Sequence, residues 1–258
     1  MNRTTNHVRH YNKVSEDIKF VSNSLIRLRV LKALYDNPSN MKELTHTTDL
    51  SYSSISSTLH KLELRDMVYR NSNRYYLASS LKLQMKNILQ LSIIINLLDE
   101  IFNIIDGHIV HKLPMESILE LHLLDGSLMV ESDGVNADMI DNLIENNIGE
   151  AKSARCILPV YSEGINAKLN ELADGGKFVE IKVSEKLSNI YNSRSRVKYI
   201  STFRGKNNFL LIITDKMMIL GFFRNDGIFD KNRLVISTGK DSLKWANNLF
   251  RYFKKLNK

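Results

Sequence analysis

The chain has 258 residues, enough for two domains with separate cores, and its 43% hydrophobic and 25% charged content excludes wholesale disorder. Cys156 is the only cysteine, which excludes an intramolecular disulfide and a cysteine-cluster metal site and fits a reducing cytosol. The formal charge of +8 is uneven: residues 1–90 carry 14 basic groups against seven acidic ones, while the remaining 168 carry 22 against 21. A basic segment joined to a near-neutral one is what counterion release from a nucleic-acid backbone favours.

Residues 1–12 are polar, with Arg3 and Arg9 available as a basic arm. No basic stretch followed by an apolar run opens the chain, so no secretory signal is expected. Asp17–Asp36 reads as a first helix, because Ile18, Val21, Leu25, Leu28, Leu31 and Leu34 keep helical spacing. Asn37-Pro38 ends it, since proline disfavours helical geometry in the residue before it. Met41–Leu50 reads as a short helix and a turn, and Ser51 stands where an N-cap belongs.

Beyond Ser51 a narrow apolar stripe of Ile55, Leu59 and Leu62 faces inward, and the other face carries Ser53, Ser54, Ser56, Ser57, His60 and Lys61. Small hydroxyls let a helix approach base edges closely, and the basic groups meet phosphates. Asp66 occupies a helix end where a left-handed residue is wanted, and Asp is among the few side chains that tolerate one. Met67–Arg70 and Arg74–Leu77 then read as two short strands around Asn71-Ser72-Asn73, a wing with Arg70 and Arg74 placed for backbone phosphates or the minor groove. The segment is thus expected to be a winged helix-turn-helix reading double-stranded DNA. A helical hairpin that only packs, or a winged helix used for protein contacts, remains the alternative.

Ser79 or Ser80 caps a helix running to about Ile105. Gln90, Ser92, Asn96, Asp99 and Glu100 interrupt its apolar run, so it does not read as a membrane span. Leu81, Met85, Ile88, Leu89, Ile93, Leu97, Leu98, Ile101 and Ile105 make it unusually apolar, and it must be covered by the second domain or by another copy. A homodimer is the favoured reading, because paired half-sites take paired readers.

Past Asp106-Gly107, helices are expected after Pro114 and over Asn136–Ile148, Gly164–Ala173 and Asp241–Leu256. Strands are expected at Ala154–Val160, Phe178–Val183, Arg196–Ser201, Phe209–Thr214 and Met217–Phe223, with Asn225-Asp226-Gly227 as a hairpin turn. The fold class is therefore α+β: a winged helix-turn-helix over residues 1–78, a connector helix over 79–106 and an α/β domain over 107–258.

Three stretches carry a family resemblance. Met218–Asp230 (MILGFFRNDGIFD), Leu234–Ser237 (LVIS) and Ser242–Phe253 (SLKWANNLFRYF) resemble the end of an archaeal regulator family named for a regulator of methanogenesis. Ser22–Leu34 (SNSLIRLRVLKAL) looks like its first helix. Leu113-Pro114 and Leu121–Ser132 (LHLLDGSLMVES) look like its middle segment, at a plausible distance from Gly107. The one departure is Asp66, where the family commonly has glycine. The resemblance implies a cytoplasmic transcription factor with a sensor-like C-terminal domain. It supplies no ligand and no catalytic residue.

Distant sensor domains of this kind look like degenerate phospholipase D folds, but the histidine, lysine and aspartate spacing of that chemistry is not found here. His108 and His111, three apart, read either as a metal pair on a helix or, more ordinarily, as polar surface. Cys156 lies in an apolar stretch and reads as a buried strand residue. There is no Walker-type loop and no dinucleotide fingerprint. No cofactor, no metal and no enzymatic activity are expected. In the C-terminal half Arg194, Arg196 and Arg204, with Lys198 and Lys206, form a basic cluster that reads as an anionic effector site or as a solvated hairpin rim. Phe222, Phe223, Phe229 and Trp245 line a small-molecule pocket or simply form core. The functional expectation is a sequence-specific transcriptional regulator with an effector- or partner-sensing domain. The rival readings are an interaction module of the transcription machinery and a phosphodiester-acting enzyme targeted by its winged helix.

Overall fold

A computed structural model of the chain describes residues 16, 19–132, 138–205 and 208–255. Arg3, Arg9, Asp17, Ile18, Asn136, Lys206 and Leu256 lie outside the described residues. Contacts divide the chain into two units, one ending at Gln90 and the other beginning at Leu91.

In the first unit the expected single helix is interrupted. Helical residues 19–22 stop at Asn23, and α1 (Leu25–Asp36) starts anew because Ser24 is extended and its hydroxyl accepts the Arg27 amide at 3.3 Å. Helices α2 (Met41–Thr48) and α3 (Tyr52–Glu63) follow. Asp49, at φ 53°, ends α2 in a left-handed turn, and Ser51 caps α3 by accepting the Ser54 amide at 3.3 Å. Asp66 is left-handed too, at φ 54°. Strands β1 (Val68–Asn71) and β2 (Arg74–Leu77) pair antiparallel around Ser72 and Asn73, and Ser39 adds a bridge to Tyr75. Val30, Leu31, Leu34, Leu44, Ile55, Leu59, Leu62 and Val68 pack into one core with Leu81 and Met85. This is a winged helix-turn-helix.

Helix α4 (Ser79–Glu100) is shorter than the expected connector: Ile101, at φ −111° and ψ 20°, breaks it from α5 (Phe102–Gly107). No helix among the described residues is long and apolar enough to cross a membrane.

The second unit is built on a seven-stranded mixed sheet. Its strands are β3 (Leu128–Glu131), β4 (Ser153–Leu158), β5 (Phe178–Ser184), β6 (Tyr199–Phe203), β7 (Phe209–Thr214), β8 (Met218–Phe222) and β9 (Arg233–Ser237), in the order β3-β9-β8-β7-β4-β5-β6. β4, β5 and β6 are parallel, which requires crossover helices: α8 (Glu163–Asp174) joins β4 to β5 and α9 (Glu185–Arg194) joins β5 to β6. The remaining pairs are antiparallel. Strand alternation sends Leu210 and Ile212 to one face and Phe209, Leu211 and Ile213 to the other. The first face is covered by α7 (Met139–Gly149), α8 and Tyr191 of α9. The second is covered by Leu97, Ile101 and Ile104, by the 3₁₀ turn Leu121–Leu124 with α6 (Met115–Leu119) before it, and by Trp245, Leu249 and Phe250 of α10 (Lys240–Lys255).

Three expectations need correction here. The strand placed at Arg196–Ser201 begins three residues later, at Tyr199. Residues 193–198 are not a hairpin rim: Ser193 and Arg194 close α9, and the segment beyond is the lead-in to β6. His108 and His111 do not share a helix face. His108 is extended, at φ −133° and ψ 162°, and its Nε2 lies 2.8 Å from Asp230 Oδ2 with both side chains buried. The Asn225-Asp226-Gly227 turn is present, closed by the Gly227 amide on Arg224 O at 2.8 Å, with Gly227 at φ 82°.

Candidate nucleic-acid interface

The face of α3 opposite its buried stripe is open to solvent. Ser53, Ser56, Ser57, His60 and Lys61 are exposed, Ser54 is half-buried, and Ile55, Thr58, Leu59 and Leu62 are buried beneath them. One turn apart, Ser53, Ser57 and His60 form a single row, with Ser56 and Lys61 at its sides. The Ser51 hydroxyl donates to Ser54 Oγ at 2.8 Å, so Ser54 belongs to the cap as much as to the open face. Tyr52 and Leu64, 64% and 73% exposed, extend this face at its two ends.

The wing meets α2 and α3 across a concave surface lined by Lys42, His46, Tyr52, Arg70, Asn73 and Tyr75 among others. Lys42 and His46 are exposed on α2 one turn apart, and Arg70 approaches from β1. Arg70 is loosely held: its Nη2 donates to Asn73 Oδ1 at 3.3 Å and its guanidinium lies 5.6 Å from the Tyr75 ring centre. Three basic side chains, two phenols and the start of a helix thus converge on one hollow, the chemistry that positions a phosphate backbone. Lys42, His46 and Tyr52 escaped sequence reasoning. Only the first-turn position of Lys42 hinted at them, because their convergence depends on how α2 packs against the wing.

Arg74 is placed differently from Arg70. Its Nη1 donates to Pro38 O at 2.6 Å and its Nη2 to Glu43 Oε1 at 2.8 Å. It ties the wing to the start of α2.

The structure does not gather the candidate effector residues Arg194, Arg196, Arg204, Phe223 and Trp245 into one site. Arg194 lies 3.6 Å from Glu163, Arg196 is 2.7 Å from Asp174, and Arg204 is 3.4 Å from Glu185. Hydrogen bonding to Asp174 raises the pKa of Arg196 further. Trp245 is fully buried, and its indole N–H donates to Ser117 O at 2.8 Å. Phe223 is half-buried and packs edge-on against Phe229, 5.4 Å between ring centres. Phe229 packs on the core of one sheet face and Trp245 belongs to the core of the other. Cys156 is fully buried, and burial pushes its thiol well above the ordinary range, which makes it inert.

Comparison with known proteins gives a consistent assignment. The family model described as "Methanogenesis regulatory protein FilR1, N-terminal domain" matches residues 15–99, and that described as the middle domain of the same protein matches residues 138–256. The methanogenesis regulatory protein FilR1 of Methanothrix harundinacea (strain 6Ac) is 24% identical over 163 residues, which are 57% of this chain and 36% of that protein. The alignment therefore spans little more than a third of that relative's length. Among solved structures, the archaeal chromatin protein TrmBL2, described as showing a novel mode of DNA binding, aligns with a TM-score of 0.39 at 12% identity, over 91% of this chain and 94% of that one. NucT from Helicobacter pylori aligns with a TM-score of 0.37 at 10% identity, over 50% of this chain and 95% of that one. With both domain models matched in order along most of its length, the chain belongs to the archaeal FilR1 family of regulatory proteins.

Proposed function

We propose that the chain is a sequence-specific DNA-binding transcription regulator rather than an enzyme. The observation that carries this reading is the exposed row of Ser53, Ser57 and His60 on α3 beside the basic hollow of Lys42, His46 and Arg70. The row supplies short donors and acceptors for base edges in the major groove, and the hollow supplies the phosphate contacts that fix register. Family membership and the concentration of positive charge in residues 1–90 support the same reading.

In this reading Ser53, Ser56, Ser57 and His60 read bases, Lys61 and Arg70 meet phosphates, and Arg74 sets the wing's position. The protein acts in the cytoplasm as a homodimer. Leu91 and Ile95 of α4, 56% and 51% exposed, offer apolar surface for a second copy. The C-terminal unit senses an effector or partner that binds two states unequally. Electrophoretic titration against genomic fragments tests the core of the proposal. His60→Ala with Ser57→Ala should abolish preference among fragments while leaving weak, salt-sensitive binding. Undiminished discrimination by that double variant would assign α3 to protein contacts instead.

A further inference from the structure

One aromatic pair on the large sheet lies outside both of its cores. Strand alternation puts Phe178 and Glu180 of β5 on the face that carries Lys182, and Tyr199 of β6, in register with Glu180, points the same way. α10 meets this face at Arg155 and Lys182, through Asn247 and Phe250. Phe178 and Tyr199 join the apolar core of neither face. They remain 42% and 50% exposed, with ring centres 5.4 Å apart and a tilt of 34°. β6 ends the sheet, so no strand among the described residues lies beyond Tyr199.

Cations stand at both ends of the pair. The Arg155 guanidinium lies 5.5 Å from the Phe178 ring centre, and Lys198 Nζ lies 5.6 Å from that of Tyr199. Both distances are close to the limit of roughly 6 Å for cation–ring attraction, and the rings stay open. Beside them is a hollow of about 320 Å³ lined by Lys177, Phe178, Val179, Arg196, Lys198 and Tyr199 among others. Glu180 is 3.7 Å from Arg155, and Asp174 is 2.7 Å from Arg196. Lys177 donates to Ala151 O at 2.8 Å, whereas the exposed Lys198 makes no ion pair among the described residues. Cross-strand stacking of Phe178 on Tyr199 helps hold β6 to β5. It accounts for the contact between the rings, not for two open ring faces edged with positive charge. Unpaired bases stack on such rings whatever their identity, while their phosphates take the basic groups at the rim. An acidic peptide would use the cations and leave the rings idle.

We propose that this edge of the C-terminal unit binds single-stranded DNA. Bases stack on Phe178 and Tyr199, and Lys198 meets the phosphates with Lys177 beside it. The choice of DNA over RNA rests on the reading of the first unit as a DNA-binding module. The stacking chemistry does not rest on it.

The test is fluorescence anisotropy of a labelled oligo(dT) of about twelve nucleotides with the full chain, at near-physiological salt. Excess random-sequence duplex is present to occupy α3. Phe178→Ala with Tyr199→Ala, at two exposed positions, should weaken binding about tenfold or more, and Phe178→Tyr with Tyr199→Phe should retain it. Lys198→Gln should lower the slope of log affinity against log salt by about 0.7. An abasic strand of equal length should bind the native chain as weakly as oligo(dT) binds the alanine double variant. Equal oligo(dT) affinity in that variant, or an abasic strand bound as well as oligo(dT), would overturn the site. Tighter binding of oligo(U) would hand the surface to RNA, and displacement by polyglutamate as effective as by oligo(dT) would hand it to an acidic polypeptide. A lower solution mass of the double variant would hand it to a second copy of the chain. Each of these three results also overturns the proposal. Titration with the duplex alone separates this site from α3, because the double variant should bind duplex as the native chain does. Absence of duplex binding by the native chain, with ring-dependent oligo(dT) binding intact, would count against the reading of α3 and leave the stacking site standing.

Discussion

Arg74 of the wing and Glu43 of α2 form an ion pair at 2.8 Å, while the other oxygen of Glu43 accepts the Asn40 amide at 2.9 Å. Asn40 returns the bond by accepting the Glu43 amide at 2.9 Å, so a capping box and a tertiary clamp share one carboxylate. Both side chains of the pair are between two-fifths and one-half exposed, which limits the pair itself to roughly 0.5 kcal/mol. The cap contributes about 1 kcal/mol.

Glu43→Gln keeps a capping acceptor and removes the charge, so it should cost about 0.5 kcal/mol in urea unfolding of the first unit's transition. Glu43→Ala removes both functions and should cost about 1.5 kcal/mol. Equal losses in the two variants would show that the cap contributes nothing.

Arg70 and Arg74 should separate in salt titrations. Arg70→Ala should weaken binding to all DNA sequences and reduce the slope of log affinity against log salt by about 1, as expected for one lost phosphate contact. Arg74→Ala should leave the slope nearly unchanged, because its guanidinium is already bound to Pro38 O and Glu43. A slope change in Arg74→Ala matching that of Arg70→Ala would mean the clamp opens on DNA.

Asp66 sits at φ 54° after α3, a region that β-branched side chains avoid. Asp66→Gly should be neutral or stabilising by up to about 1 kcal/mol, and Asp66→Val should destabilise by about 1–2 kcal/mol. Thermal unfolding of the three proteins gives the order Gly, Asp, Val. Any order placing Val first would contradict the left-handed turn.

His108 and Asp230 are a buried pair at 2.8 Å, and Asp230 Oδ1 also accepts the Asn232 amide at 2.8 Å. Removing Asp230 strands His108 Nε2 and the Asn232 amide, so Asp230→Ala should cost about 1–3 kcal/mol. Replacing both residues, as His108→Leu with Asp230→Leu, should recover part of that loss, less the Asn232 contact. A double variant no better than Asp230→Ala would locate the whole cost in that amide bond.

Local chemistry made the first unit legible. The stripe of Ile55, Leu59 and Leu62, the cap at Ser51 and the left-handed Asp66 each announce themselves within a few residues. The C-terminal sheet was legible where strands are apolar throughout, as in Phe209–Thr214. Helix α9 was hidden because only Leu187, Ile190 and Tyr191 interrupt its polar sequence, and Tyr191 alone is fully buried. Strand β3 is short, lies at a sheet edge and is exposed at both ends, so its four residues carry little alternation. The clamp of Arg74 on Glu43 spans 31 positions, and the hollow formed by Lys42, Tyr52 and Arg70 joins three elements. Neither leaves a trace in sequence spacing.

Sequence reading by α3 is what the proposed regulatory role depends on. Its most direct test is selection of bound fragments from a genomic library by the purified chain at near-physiological salt, run beside the His60→Ala, Ser57→Ala variant. The native chain should enrich one palindromic or repeated motif, and the variant should lose that enrichment. Retention of DNA without sequence preference by the native chain, or the same motif recovered by both proteins, would contradict it.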